Sequence, residues 1–406
     1  MQIKRYMWLV VSIMLIASLG MSDAIIAGPK PIKIGFVGPF SGPMGDNGQQ
    51  MLRGAYLAIK KINDNGGLLG GRPVELVELD DQGDPAQTTA VVRKGISVNK
   101  VKVIAGTWDP GSGSAAWEVC NEENMPFVQW GSGTELIMNS YKGHFQQGVS
   151  PSAEVYPVIE YMESHNLKSI VMVLEDFAWS RDCEYLIRQR WDKPGSPVKI
   201  KESIWVPLAK ADLTAEATKA MSYNADAICF LAYTPPAIAA SINAQHQLGY
   251  KGPKWGFGPL GDPAFVASFG PEADGIMLAT WFAEYPEHKV IMDCIKAYKE
   301  AGYPGFFGDQ VAMSYDTLMI ACLGIQNAGT DSDTEKIADG WAAIKDYTCV
   351  CGNSPYKYEN YNGALRLNRE YRYMVTIQGG KMINPEWFKF KYNTIKADEA
   401  LNERKF

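Results

Sequence analysis

Histidine is scarce in this chain: four stand among 406 residues, at 144, 165, 246 and 288, each far from the others. So scattered, they read as surface or satisfied core residues rather than as a metal set. The seven cysteines include one close pair, Cys349 and Cys351, with no second closely spaced Cys or His set beside it. That pair reads as structural or redox rather than as a zinc site. No phosphate-loop Gly-Lys-Ser/Thr and no Gly-x-Ser-x-Gly elbow occurs, which removes the commonest nucleotide-hydrolase and esterase signatures. Gly256-Phe257-Gly258-Pro259-Leu260-Gly261 matches a dinucleotide fingerprint only literally. Pro259 removes a donor from the would-be phosphate cradle, and no acid about 20 residues on follows a second strand. Adjacent Asp80 and Asp81 point to opposite faces of a strand end, so they read as a solvated turn rather than a carboxylate pair. Basic charge is also lacking: 39 Lys and Arg against 45 Asp and Glu leave −6, which does not invite nucleic acid. An exported enzyme with a dispersed site stays open, since such a site leaves no local pattern.

One long apolar run is present, Met7 to Leu19, preceded by Lys4 and Arg5 and followed by Ser22-Asp23-Ala24. This is the layout of a cleaved secretory signal over residues 1–24, and it predicts a periplasmic protein. No cysteine lies near the cut, so no lipid anchor is expected there. Loss of Lys4, Arg5 and Asp23 takes the net charge from −6 to near −7. The remaining ~380 residues suffice for two domains with sizeable cores. All seven cysteines fall in that part, and their odd number leaves at least one outside any intramolecular disulfide.

The segment after the signal has the clearest local pattern. Ile32, Ile34, Phe36 and Val37 form an apolar strand stopped by Gly38-Pro39. Past the turn through Ser41-Gly42-Pro43 and Gly45 to Gly48, the residues Met51, Leu52, Ala55, Ile59 and Ile62 share one helix face that ends at Gly66-Gly67. Val74 to Leu79 gives a second strand, and Asp84-Pro85-Ala86-Gln87 supplies an N-cap, a first-turn proline and a Gln placed for a capping box. Strands at Val101–Ala105, Phe127–Trp130, Ile170–Leu174, Ala227–Tyr233, Trp255–Phe257 and Ile276–Thr280 continue the series, with helices at Ala115–Glu123 and Cys183–Trp191. Such alternation predicts an α/β fold of parallel sheets with helices on both faces. No Ser-rich, charged or repetitive linker divides it, and Gly148-Val149-Ser150-Pro151 is the first candidate hinge.

The runs GPFSGPMGDNG, INDNGGLLGGRPVELVELDDQGDP and VIAG resemble the amino-terminal lobe of periplasmic branched-chain amino acid (leucine/isoleucine/valine) binding proteins. Weaker likeness runs through LGYKGPKWGFGP, FVASFGPEADGIMLATW and AGYPGFFGDQVAMSYDTLMIA, so it spans the mature chain. The resemblance implies a type I periplasmic binding protein: two Rossmann-like lobes joined by three crossover hinge segments. It implies an N-terminal lobe of 30–149 plus 281–356 and a C-terminal lobe of 150–280 plus 357–395. It also implies a monomer that captures a small solute by closing, works with the membrane permease of an ABC importer, and needs no cofactor. A ligand sensor of the same fold, related to amide or urea receptors, is the alternative.

In open parallel sheets ligands collect beyond the strand carboxyl ends. Two Gly/Ser/Thr-rich loops there can hold a carboxylate on backbone N–H groups and hydroxyls. One carries Trp108, Gly111, Ser112 and Ser114; the other carries Gly131, Ser132, Gly133 and Thr134. The same hydroxyls can instead cap their own helices. Trp179 and Tyr233 stand where the family carries pocket aromatics, although an aromatic after a strand is often core. Two departures bear on the ligand. Leu260 occupies the slot where the family's amino acid binders place a glutamate for the ligand ammonium, and Asn47 stands where a tyrosine is common. A buried ammonium without a carboxylate is costly. The expected solute is therefore a carboxylate or amide lacking a free α-amine, branched-chain-like or aromatic, unless Glu175, Asp176 or Asp262 stands in for the missing acid.

Overall fold

A computed structural model describes residues 28–130, 141–147, 151–280, 282, 288–351, 356, 358–361, 364–367 and 371–389. The expected signal at 1–24, the loop Gly131 to Thr134 and the hinge residues 148–150 lie outside them.

The chain begins with β1 (Ile32–Gly38), α1 (Gly45–Asp64), β2 (Val74–Asp80), α2 (Pro85–Lys94), β3 (Val103–Gly106), α3 (Pro110–Glu122), β4 (Phe127–Gln129) and β5 (His144–Gln146). A second series follows: α4 (Pro151–Ser164), β6 (Ser169–Glu175), α5 (Ala178–Trp191), β7 (Lys199–Val206), α6 (Thr214–Ser222) and β8 (Ala227–Leu231). It continues with α7 (Pro235–Gln247), β9 (Lys254–Gly256), the short α8 (Pro263–Ala267) and β10 (Ile276–Thr280). The last part holds α9 (Lys289–Glu300), α10 (Asp309–Ala328), α11 (Thr334–Ala342), β11 (Tyr358–Tyr361), β12 (Ala364–Leu367), β13 (Tyr371–Gln378) and β14 (Lys381–Lys389).

The first sheet has the order β11-β12-β5-β4-β3-β1-β2, parallel from β12 to β2. In the second lobe β7-β6-β8 form one parallel sheet, and β9-β10 pair in parallel beside it, extended by the antiparallel β13 and β14. Since β9 lies along β8, both lobes share the winding 2-1-3-4-5. The strand order therefore reverses between β1 and β3 in one lobe and between β6 and β8 in the other. Ligands of doubly wound sheets sit at such switch points.

Sequence explains most of these elements. α1 buries Met51, Leu52, Ala55, Ala58, Ile59 and Ile62 on the face its periodicity predicts. Asp84 caps α2 through Ala86 N–H, while Gln87 turns to Gln82 instead of closing the box. α10 is buried on all sides from Asp309 to Cys322, because it runs between α1 and the first sheet. At their crossing a Cβ on Gly54 would lie 2.2 Å from the Val311 carbonyl oxygen, so the two helices approach to backbone contact.

Two departures from expectation concern the ends of the pattern. β5 and β7 were not expected: β5 is only three residues long, and β7 buries little of itself. β11 and β12 belong to the first sheet, with β12 paired to β5, so the chain makes its third crossing after Leu367 rather than near Tyr356 to Tyr361. Leu365 is buried there, and the added pair covers an edge that β5 would otherwise leave open. Cys120, Cys183, Cys229, Cys294 and Cys322 are buried thiols outside any disulfide, and Cys349 and Cys351 are likewise buried.

Gly54→Ala is expected to destabilise the protein by about 2–3 kcal/mol, because the added methyl meets backbone rather than a side chain that can turn away. Urea unfolding followed by tryptophan fluorescence measures this.

Candidate ligand-binding cleft

The carboxyl ends of β1, β3, β6 and β8 bring the two lobes face to face. Gly106 closes β3 with φ +110, and a Cβ there would fall 2.2 Å from the Val37 carbonyl oxygen, so only glycine fits. The chain then presents Trp108, whose ring centroid lies 6.0 Å from that of Tyr233 in the second lobe. Its indole N–H is buried without a partner among the described residues.

The rest of that loop is engaged locally. Asp109 caps α3 by accepting from Ser112 N–H at 2.9 Å. Ser112 is fully buried, its hydroxyl facing the Asp109 and Asp81 carboxyls, both held above the usual carboxylate range mainly by burial. Ser114 donates to Pro110 O at 3.0 Å, and Gly111 packs its Cα against Pro85 and Asp109. Asn47 is half-buried in the first turn of α1, which is pressed onto Pro39 and Phe40 at Gly48.

In the second lobe Glu175, fully buried at the end of β6, organises the loops. It accepts from Ala209 N–H at 2.7 Å, Tyr233 N–H at 2.8 Å and Thr234 N–H at 2.9 Å, and from the Thr234 hydroxyl. Charge-assisted bonds of this kind fix backbone. Glu175 is thereby occupied, and exposed Asp176 pairs with Arg181. Neither of these two stands in for the acid missing at position 260.

The loops so fixed carry a wall of aromatics. Tyr233 lies 4.8 Å from Trp179 and 5.8 Å from Phe177, and Trp179 lies 5.5 Å from Phe257. Gly258 has φ +48, and a Cβ there would lie 2.5 Å from the Tyr233 ring. The Trp179 N–H donates to Glu154 Oε2 at 2.6 Å. Leu260 is 2% exposed and packs into the core against Gly256.

Carboxylates gather behind this wall. Asp309, the first residue of α10, is 4% exposed and accepts from Gln310 N–H at 2.7 Å. A Cβ on Gly261 would lie 2.8 Å from Asp309 Oδ2, so the loop following Leu260 backs directly onto this carboxyl from the other lobe. Burial first, then the charges of Asp262 and Glu154, push Asp309 up to about 8. Tyr233 is also raised, by burial and then by Glu154 and Asp309. Asp309 makes no ion pair among the described residues. An acid is thus absent at 260 but present at 309, with Asp262 and Glu154 beside it.

The family model described as periplasmic binding protein matches residues 31–380. The chain belongs to that family. A relative named Leu/Ile/Val-binding protein homolog 6, from Brucella suis, is 22% identical over 364 residues, covering 87% of this chain and 90% of the relative. The leucine-, isoleucine-, valine-, threonine- and alanine-binding protein of Pseudomonas aeruginosa is 26% identical over 323 residues, covering 77% and 82%. Among solved structures, the substrate-binding protein of a branched-chain amino acid transporter from Streptococcus pneumoniae, in complex with isoleucine, superposes with a TM-score of 0.76 at 22% identity, covering 89% of this chain and 100% of that one. A solute-binding protein of an ABC transporter from R. palustris, in complex with benzoate, gives 0.74 at 20%, covering 89% and 98%.

In this periplasmic binding protein, the sequence-predicted Trp108, Trp179 and Tyr233 come together, Gly111, Ser114 and Leu260 serve packing or capping, and Ser112 gives its N–H to the cap while its buried hydroxyl makes no hydrogen bond among the described residues. Gly131, Ser132, Gly133 and Thr134 lie outside the described residues. Sequence reasoning missed Asp309 and Glu154, because an acid in the first turn of a helix ordinarily complements the helix dipole. The signal that finds Asp309 is its place ahead of a helix buried all round, where no solvent is left for a charge.

Asp309 keeps its proton up to about pH 8 in the folded protein, whereas in the unfolded chain an aspartate loses it near about pH 4. The folded state therefore binds more protons across that window, and the Asp309 contribution to stability falls from about pH 4 to about pH 8 and is flat above. Asp309→Asn is expected to remove this slope and to be more stable than the parent at pH 8 by about 1–3 kcal/mol. Urea unfolding of both proteins at several pH values reads the difference.

Proposed function

We propose that this protein is the solute receptor of an ABC import system. It holds a small carboxylated solute that also bears a protonated nitrogen, and it takes the solute between Trp108 and Tyr233 as the lobes close. The observation that carries this reading is Asp309, a buried carboxyl with two more acids beside it and an aromatic wall in front. Asp309 is costly to ionise where it is buried with other acids nearby, and a cationic group set against it relieves that cost. An apolar ligand body fits against Tyr233, Trp179 and Trp108. Its carboxylate falls to the loop at Trp108 and to Gly131–Thr134, the segment that the sequence marks for that role. Isoleucine, benzoate and 3,4-dihydroxybenzoic acid, bound in structural neighbours, are all carboxylates. This takes up the exception in the sequence reading, with Asp262 joined by Asp309 and Glu154 as stand-in for an acid at 260.

Closure follows from the architecture in this reading. Both switch points face the cleft, contacts to the ligand from the far lobe exist only when it is shut, and those extra contacts favour the closed state. The closed form then offers both lobe surfaces to the permease.

Asp309 also favours a second reading, the amide or urea sensor, because a protonated carboxyl donates to an amide oxygen. The pH dependence separates the two. A cationic ligand needs Asp309 ionised, so affinity should rise up to about tenfold per pH unit towards pH 8 and then level. An amide held by the protonated acid should bind evenly below pH 8 and more weakly above. Native mass spectrometry of freshly purified protein and a thermal-shift panel of amino acids, aromatic acids, amides and ureas would identify the solute; calorimetry from pH 6 to 9 then reads the sign. A pH-independent affinity, unchanged in Asp309→Asn, would sink both assignments of this residue.

A further inference from the structure

On the far side of the first lobe, away from the cleft between lobes, α1 and α9 part over α10 and leave a groove of about 410 Å³. That volume is within the range of small-molecule sites. Its floor is apolar, built from Leu57, Ala297 and Ala301, with Cys294 and the ring of Tyr315. Tyr315 is 2% exposed, and its hydroxyl has the Cys294 sulfur as neighbour but no oxygen or nitrogen partner among the described residues. Leaving a hydroxyl buried and unmatched is costly, and a ligand acceptor in the groove would remove that cost.

The rim selects the sign of the ligand. The acids there are answered: Asp64 pairs with Lys60 at 2.6 Å, Asp293 with Lys289 at 2.5 Å and Glu300 with Lys296 at 3.7 Å. Lys61 makes no ion pair among the described residues, and its ammonium stands 5.8 Å from the centre of the Tyr315 ring. Asp293, already paired with Lys289, also feels the Lys61 charge, yet the Lys61 ammonium is left without an ion-pair contact of its own among the described residues. Such a cation above an apolar floor with a hydroxyl at its base suits an anionic head on a short hydrocarbon body. We infer that this groove is a second binding site, separate from the cleft, for a small amphiphilic carboxylate. The carboxylate pairs with Lys61 and the Tyr315 hydroxyl, and the hydrocarbon lies on Leu57, Ala297 and Ala301. The inference is independent of which solute the cleft carries.

Octanoate is the probe, with octylamine as its charge-reversed control, in the full-length mature protein. Saturation-transfer NMR and calorimetry should detect octanoate binding and none for octylamine. Lys61→Met should weaken octanoate about tenfold or more and Tyr315→Phe about threefold, the size of a lost charge-assisted and a lost neutral hydrogen bond. Trp108→Ala, in the cleft, should leave octanoate binding unchanged. The proposal is overturned if octanoate does not bind, if Trp108→Ala rather than Lys61→Met abolishes binding, or if both groove variants bind as the parent does. It is also overturned if Lys61→Met acts by dissolving a dimer seen in sedimentation, since the groove would then hold a second copy. Circular dichroism of both groove variants checks that they fold.

Discussion

Parallel strand pairing is the constraint on which the molecule depends. Each parallel step requires a crossover, so every strand end in a lobe opens on one edge and every loop that leads into a helix is there. Both lobes repeat the winding 2-1-3-4-5. Their switch points therefore produce two matching rows of loops, and Trp108 and Tyr233 meet where those rows face. Glu175 turns that general arrangement into a specific one, because its carboxylate ties the loops after β7 and β8 to the end of β6.

Burying acids in the cleft costs stability. Asp309, Asp262 and Glu154 are all less than a tenth exposed, and Asp309 gives up its charge over most of the neutral range as a result. A core position would be better filled by an apolar residue of the same size. The raised Asp309, set in the cleft, supports the site proposed there. Asp81 and Asp109, by contrast, are raised by burial but answered by Ser112, Thr88 and the N–H of Gly83, and they join the starts of α2 and α3.

Much of this fold could be read from the sequence, since its causes are local. The apolar alternation of Ile32 to Val37, the face of Met51 to Ile62 and the Asp84-Pro85 cap each specify an element without help from elsewhere. The site was legible in part. The family resemblance pointed to Trp179 and Tyr233 and the hydroxyl-rich loop to Trp108, yet that same loop marked Ser114, whose hydroxyl turns back onto its own helix, and Ser112, whose N–H is taken by the Asp109 cap. A hydroxyl near a helix start has two competing partners, and spacing does not tell them apart.

By itself, then, the sequence determined the α/β alternation, because periodicity and caps are properties of neighbouring positions, while its resemblance to periplasmic binding proteins implied the two-lobe plan and marked Leu260 as standing in an acid's slot. Only the tertiary structure decided that β11 and β12 complete the first sheet, that Glu175 is consumed in holding loops, and that Asp309 backs onto Gly261 from the opposite lobe. Those outcomes depend on distances between residues far apart in the chain. The burial that raises Asp309 is likewise produced by elements that meet only once the chain has folded.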